Sequence, residues 1–128
     1  MKTKFFAALL GAFIWSVTFS FAQKLTFCEK ADASGNPVNA NTAFTISKNG
    51  GPVTLLFTPP LGMKLSSVNF DIYKIIDTKE VYQSSMKQPV TGAWVSKQVT
   101  LYDDGKYRVY VFDENDKQLA KGDLTIKR

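Results

Sequence analysis

The stretch Leu101-Tyr102-Asp103-Asp104-Gly105-Lys106-Tyr107-Arg108-Val109-Tyr110-Val111-Phe112-Asp113 constrains this chain more than any other. It reads as a polar corner that runs directly into a strand. Successive strand side chains point to opposite faces, so Tyr107, Val109 and Val111 share one face. Arg108, Tyr110 and Phe112 share the other. The inner set is fit for a core, and the outer set is unusually aromatic.

The same alternation recurs along the chain. Leu25 and Phe27 alternate with Thr26 and Cys28, which predicts a first strand. Turn residues fill positions 31–41. Residues 43–47 read as a short strand with Phe44 and Ile46 on one face. Lys48-Asn49-Gly50-Gly51-Pro52 is the strongest turn signal, because Asn and Gly accept positive φ. That turn is expected to join the short strand to 53–57, where Val53, Leu55 and Phe57 alternate. Pro59 and Pro60 then stop the ladder, since proline has no N–H to donate. Val68, Phe70 and Ile72 form the inner face of a further strand, with Asn69, Asp71 and Tyr73 outside. Asp77-Thr78-Lys79 turns the chain into a polar, edge-like strand over 80–86. Residues 94–101 and 118–126 supply two more strands, and Gly122 is expected to mark a bulge in the last.

Short strands at such regular spacing are the all-β signature. No helical period is sustained after residue 22, so the expectation is a two-sheet antiparallel sandwich of seven to eight strands over residues 23–128. Two local patterns carry a family resemblance. Leu101-x-Asp103-x-Gly105-x-Tyr107-x-Val109-x-Val111 resembles the tyrosine corner of immunoglobulin-like and fibronectin type III-like sandwiches. Val53-x-Leu55-x-Phe57-x-Pro59-Pro60 looks like strand B of a fibronectin type III domain, with Phe57 where a tryptophan usually stands. The resemblance covers residues 53–126. It implies structural roles for Asp103, Gly105, Tyr107, Val109 and Phe57, with the Tyr107 hydroxyl bonding back to nearby backbone. It also implies that the 68–73 and 107–112 strands are neighbours in one sheet.

The N-terminus reads as a secretory signal peptide over residues 1–22. Lys2 and Lys4 supply the positive end, residues 5–15 are apolar or small, and Ser20-Phe21-Ala22 fits cleavage before Gln23. That predicts export to a periplasmic, outer-surface or extracellular location. Two alternatives stay open: an uncleaved helical anchor, and a lipid anchor at Cys28, since Leu25 stands three residues before it. Removing the leader lowers the balance from 16 basic against 11 acidic residues to 14 against 11. That excess is spread along the chain without a basic stripe, which argues against a nucleic-acid partner. Cys28 cannot form an internal disulfide, because it is the single cysteine. Burial as a small hydrophobe is the expectation, with an intermolecular bridge as the alternative.

Catalysis finds little support. The chain has no His, so His-dependent triads, bases and zinc sites are excluded. One Cys cannot build a thiolate metal site. Gly50-Gly51 precedes a strand and cannot act as a phosphate loop. Paired carboxylates remain, but Asp103 and Asp104 are separated from Asp113, Glu114 and Asp116 by one strand, roughly 26 Å. The chain is therefore expected to be no enzyme and to need no cofactor. Asp113-x-Asn115-x-Lys117 begins like a calcium loop and fails at Lys117, so these side chains are expected to make the turn itself.

The outer aromatics carry the functional expectation. Tyr73, Tyr110 and Phe112 beside Arg108 would share one outer sheet face, and Trp94 offers another ring. The leading reading is an exported non-catalytic module that binds protein or serves in assembly at the cell surface, the usual work of the domains it resembles. The second is a carbohydrate-binding module that stacks sugars on Tyr73, Trp94 and Tyr110. The third is a secretion sorting domain, on a similarity of residues 105–128 to C-terminal sorting domains.

Overall fold

The structure, a computed structural model, describes residues 24–128. The expected leader, residues 1–22, lies outside the described residues. Ten strands run through the rest: β1 Lys24–Cys28, β2 Lys30–Ala31, β3 Pro37–Val38, β4 Ala43–Thr45, β5 Gly51–Thr58, β6 Ser67–Ile76, β7 Lys79–Pro89, β8 Val95–Leu101, β9 Gly105–Phe112 and β10 Gln118–Lys127. There is no helix among the described residues. The strands form a three-stranded sheet β1-β5-β8, a five-stranded sheet β4-β10-β9-β6-β7 and a two-stranded sheet β2-β3.

The alternation read from sequence decides what is buried. Val53, Leu55 and Phe57 from β5, Val68, Phe70 and Ile72 from β6, and Tyr107, Val109 and Val111 from β9 join one buried cluster with Leu124 and Ile126. The two larger sheets thus contribute to a single core. β6 and β9 are hydrogen-bonded neighbours, as expected.

The chain passes between these sheets through short connections, and the tightest is the corner after β8. Only Tyr102, Asp103 and Asp104 separate Leu101 of β8 from Gly105 of β9. Gly105 adopts φ 138°, a conformation that favours glycine. The Tyr107 hydroxyl donates to the Asp103 carbonyl at 2.7 Å, and the residue is only 3% exposed. The ring is therefore part of the core while its hydroxyl ties the corner.

One expectation holds and two are corrected. The Lys48–Pro52 turn joins β4 to β5, as read from the sequence. Ser47 and Gly50 bridge, Gly50 takes φ 99°, and the chain leaves one sheet for the other. β4 instead pairs in parallel with β10, Phe44 opposite Ile126, so the pairing is not antiparallel throughout. Gly122 sits in regular pairing opposite Val109, and the irregularity of β10 falls between Gln118 and Ala120. What Gly122 provides is room, since a Cβ there would come within 3.0 Å of the Phe27 ring.

β2 and β3 were not legible, because two-residue strands have no period. Their hairpin is built on Asp32, whose carboxylate accepts from the Ser34 and Asn36 amides at 2.9 Å each. Asp113 repeats the device between β9 and β10, accepting from the Asn115 and Lys117 amides at 2.8 and 2.9 Å. The residue before the last is left-handed in both turns, Gly35 at φ 80° and Asp116 at φ 63°. The broken calcium pattern at 113–117 is thus turn chemistry.

The segment bearing β2 runs beside the outer side of β5. Thr54 Oγ1 donates to the Glu29 carbonyl at 3.0 Å. Beneath this cover Cys28, paired with Thr54, is fully buried, and Leu56 is 2% exposed. Cys28 therefore belongs to a second, smaller buried layer. Burial pushes its thiol pKa up. A thiol reagent such as DTNB is expected to leave Cys28 unmodified in the native protein and to titrate one equivalent in denaturant. Fast native labelling would show that β1 leaves its sheet readily.

Candidate functional site

The outer face of the five-stranded sheet gathers the aromatic side chains. Its inner face is committed to the core by Phe70, Ile72, Val109 and Val111, so the intervening residues must point out. The Tyr73 and Tyr110 rings meet edge to face at 5.6 Å between centroids. Tyr110 and Phe112 stack at 6.0 Å. All three are half-buried, standing side by side over the β6–β9 pair.

A fourth ring extends the row. Tyr82 of β7 is 57% exposed and meets Tyr73 edge to face at 5.8 Å. A register shift between Ile72 and Tyr73 puts it there. Up to the shift Ile72 faces Ser84, and beyond it Tyr73 faces Tyr82, so Gln83 is skipped. Bulges re-aim side chains in this way, and they also spoil an edge strand for pairing with another chain. β7 is that edge, and it ends at Pro89. Tyr82 was missed in the sequence because 80–86 reads as a polar edge and a bulge leaves no period.

Charged groups border the row, and Arg108 is paired on two sides. Arg108 donates from Nε to Asp123 at 2.7 Å and from a terminal nitrogen to Glu80 at 2.8 Å. The Tyr110 hydroxyl also donates to Glu80. These bonds hold the Glu80 carboxyl below its ordinary range, the Tyr110 contact contributing most, then Arg108. Arg108 does the same for Asp123. On the other side of the row, Asp71 accepts from Ser85 Oγ at 2.7 Å and from Asn69 at 3.3 Å, and the Tyr82 hydroxyl donates to Ser85 at 3.0 Å.

Depressed folded-state values mean that the ionised carboxylates favour the fold above the unfolded values near about 4, and that this contribution vanishes as pH falls below them. Stability is therefore expected to decline from about pH 5 downward. Arg108→Met should flatten that acid limb while moving the neutral melting temperature little, since exposed pairs contribute modestly. Melting curves at stepped pH check this; an unchanged acid limb in the variant would contradict the assignment.

Of the expected site residues, Tyr73, Arg108, Tyr110 and Phe112 come together, and Trp94 does not. Trp94 precedes β8 in the other large sheet, and its indole stands directly over Gly35 in the β2–β3 turn, where any side chain would overlap it. It covers the turn of the small hairpin. Asp103 and Asp104 flank the start of β9, and Asp113 follows its end, so the carboxylates do not converge. Among the described residues, no group of three or more acidic or Cys side chains is placed to hold a metal ion.

No protein-family model matches the chain, and no curated protein matches it.

Proposed function

We propose that this chain is an exported, non-catalytic binding module, built as a two-sheet immunoglobulin-like sandwich, whose recognition surface is the outer face of its five-stranded sheet. The observation that carries the reading is the row Tyr82, Tyr73, Tyr110 and Phe112 on the solvent side of strands whose other side is core. Aromatic rings offer large contact area at low entropic cost, and a contiguous outward row is unusual on a sheet that needs one apolar face only. The sandwich reading is supported by the core shared between the sheets, by β6 and β9 as neighbours, and by the Tyr107 bond across the corner. The export reading rests on Lys2, Lys4 and the apolar run that follows. Cys28 counts against a lipid anchor, since acylating a fully buried sulfur requires pulling β1 out of its sheet.

The test is binding of the labelled mature protein to cell envelopes of the source organism. Binding should be saturable and lost in Tyr82→Ala/Phe112→Ala, with an unchanged melting temperature. Retained binding in that variant would reject this face.

A further inference from the structure

The row, its bordering charges and its unspent hydrogen-bond capacity together specify a partner more narrowly than a generic binding face does. We infer that the face binds a neutral glycan chain, with Tyr82 and Tyr73 as stacking surfaces and Asp71, Ser85 and Asn69 as the hydrogen-bonding edge; this rests on the binding-face reading above.

Three observations point there. First, the charges on the face balance in sum: Arg108 lies between Glu80 and Asp123, at 2.8 and 2.7 Å, and Lys121 opposite Tyr110 and Lys87 opposite Asn69 offset the remaining carboxylates, Asp71 included. A face with no net charge favours a partner with none, and an uncharged partner leaves the Arg108 pairs intact. Second, the edge by Tyr82 is rich in acceptors with capacity left over. A carboxylate offers about four lone-pair positions. Asp71 uses one oxygen, accepting from Ser85 and Asn69. Its second oxygen and the Asn69 amide oxygen are fit to accept from the many hydroxyls of a sugar. Third, part of what a protein partner would draw on is already committed. Tyrosine serves a protein interface as well as a glycan, but arginine, the other anchor such interfaces favour, is here engaged on two sides. The bulged β7 edge also opposes addition of a partner strand. Sugars suit the remaining combination, because their C–H faces lie on aromatic rings while their hydroxyls reach the border.

The sequence reading puts a protein partner first; the present inference puts a glycan first. Two measurements separate the cases. In native gels cast with dextran, mannan or a soluble β-glucan, the mature protein should be retarded by at least one. Tyr82→Ala should abolish the retardation and Asp71→Ala should weaken it about tenfold, the scale of one lost bond to a charged acceptor. Trp94→Phe, on the other sheet, should leave it unchanged. In parallel, envelopes are treated with periodate, which cleaves vicinal diols, or with protease. Binding that survives protease and is lost to periodate supports the inference. Binding that survives periodate and is lost to protease overturns it while leaving the binding face intact. Absence of retardation together with absence of envelope binding overturns both.

Discussion

Truncating Phe57 to alanine is expected to lower the unfolding free energy by about 3–5 kcal/mol, the usual cost of emptying a fully enclosed aromatic site. Phe57 has no exposed surface and sits in the central strand of its sheet, opposite Leu25 on β1 and Val95 on β8. Both neighbours are held by ladder pairing, so the site can collapse only partly. A domain of this size has about 5–15 kcal/mol in total. The variant should therefore stay folded at room temperature with a sharply lower urea midpoint. Phe57→Leu, which keeps most of the volume, should cost less than half as much. A loss below about 1 kcal/mol for the alanine variant would mean that the core is looser than described.

Tyr107 separates packing from tethering. Its alanine variant should lose about 3–5 kcal/mol for the buried ring. Its phenylalanine variant keeps the ring and removes only the hydroxyl that donates to Asp103, leaving a carbonyl without its partner, at about 1–2 kcal/mol. The phenylalanine variant also changes the alkaline limb. Burial, and then the nearby Asp103 and Asp104 charges, raise the Tyr107 pKa above its ordinary value. A raised value means that the contribution is complete below the unfolded pKa, about 10, and is lost as pH rises through the folded value. The wild type should lose stability there and Tyr107→Phe should not share that part of the loss. Equal denaturation midpoints for wild type and Tyr107→Phe would show that the corner holds without its hydroxyl.

These two residues also mark where the sequence was readable. Strict alternation through Val53, Leu55 and Phe57 and through Tyr107, Val109 and Val111 assigns inner and outer faces, and all six are buried. The same logic placed Tyr73, Tyr110 and Phe112 on one outer face. It failed where register, not period, decides. Tyr82 joins the row through a one-residue slip opposite Tyr73, which no local pattern records. Trp94 reads from the sequence as a stacking ring at the start of the 94–101 strand, but its surroundings depend on a hairpin of two-residue strands with no signature of their own. The parallel pairing of β4 with β10 was invisible for a related reason: three residues carry too little pattern to choose a partner. Thr54 and Leu56 are buried although they alternate with the core set, because a separate segment covers them.

The most direct test of the recognition face is oxidative footprinting of tyrosines in the envelope-bound protein. Tyr82 and Tyr102 are both well exposed, at 57% and 64%, and they lie on different parts of the molecule, one in the aromatic row and the other in the corner after β8. Free protein should label at both. On binding, Tyr82 should be protected several-fold while Tyr102 keeps its reactivity. Protection of Tyr102 with Tyr82 still reactive would place the partner elsewhere and contradict the account.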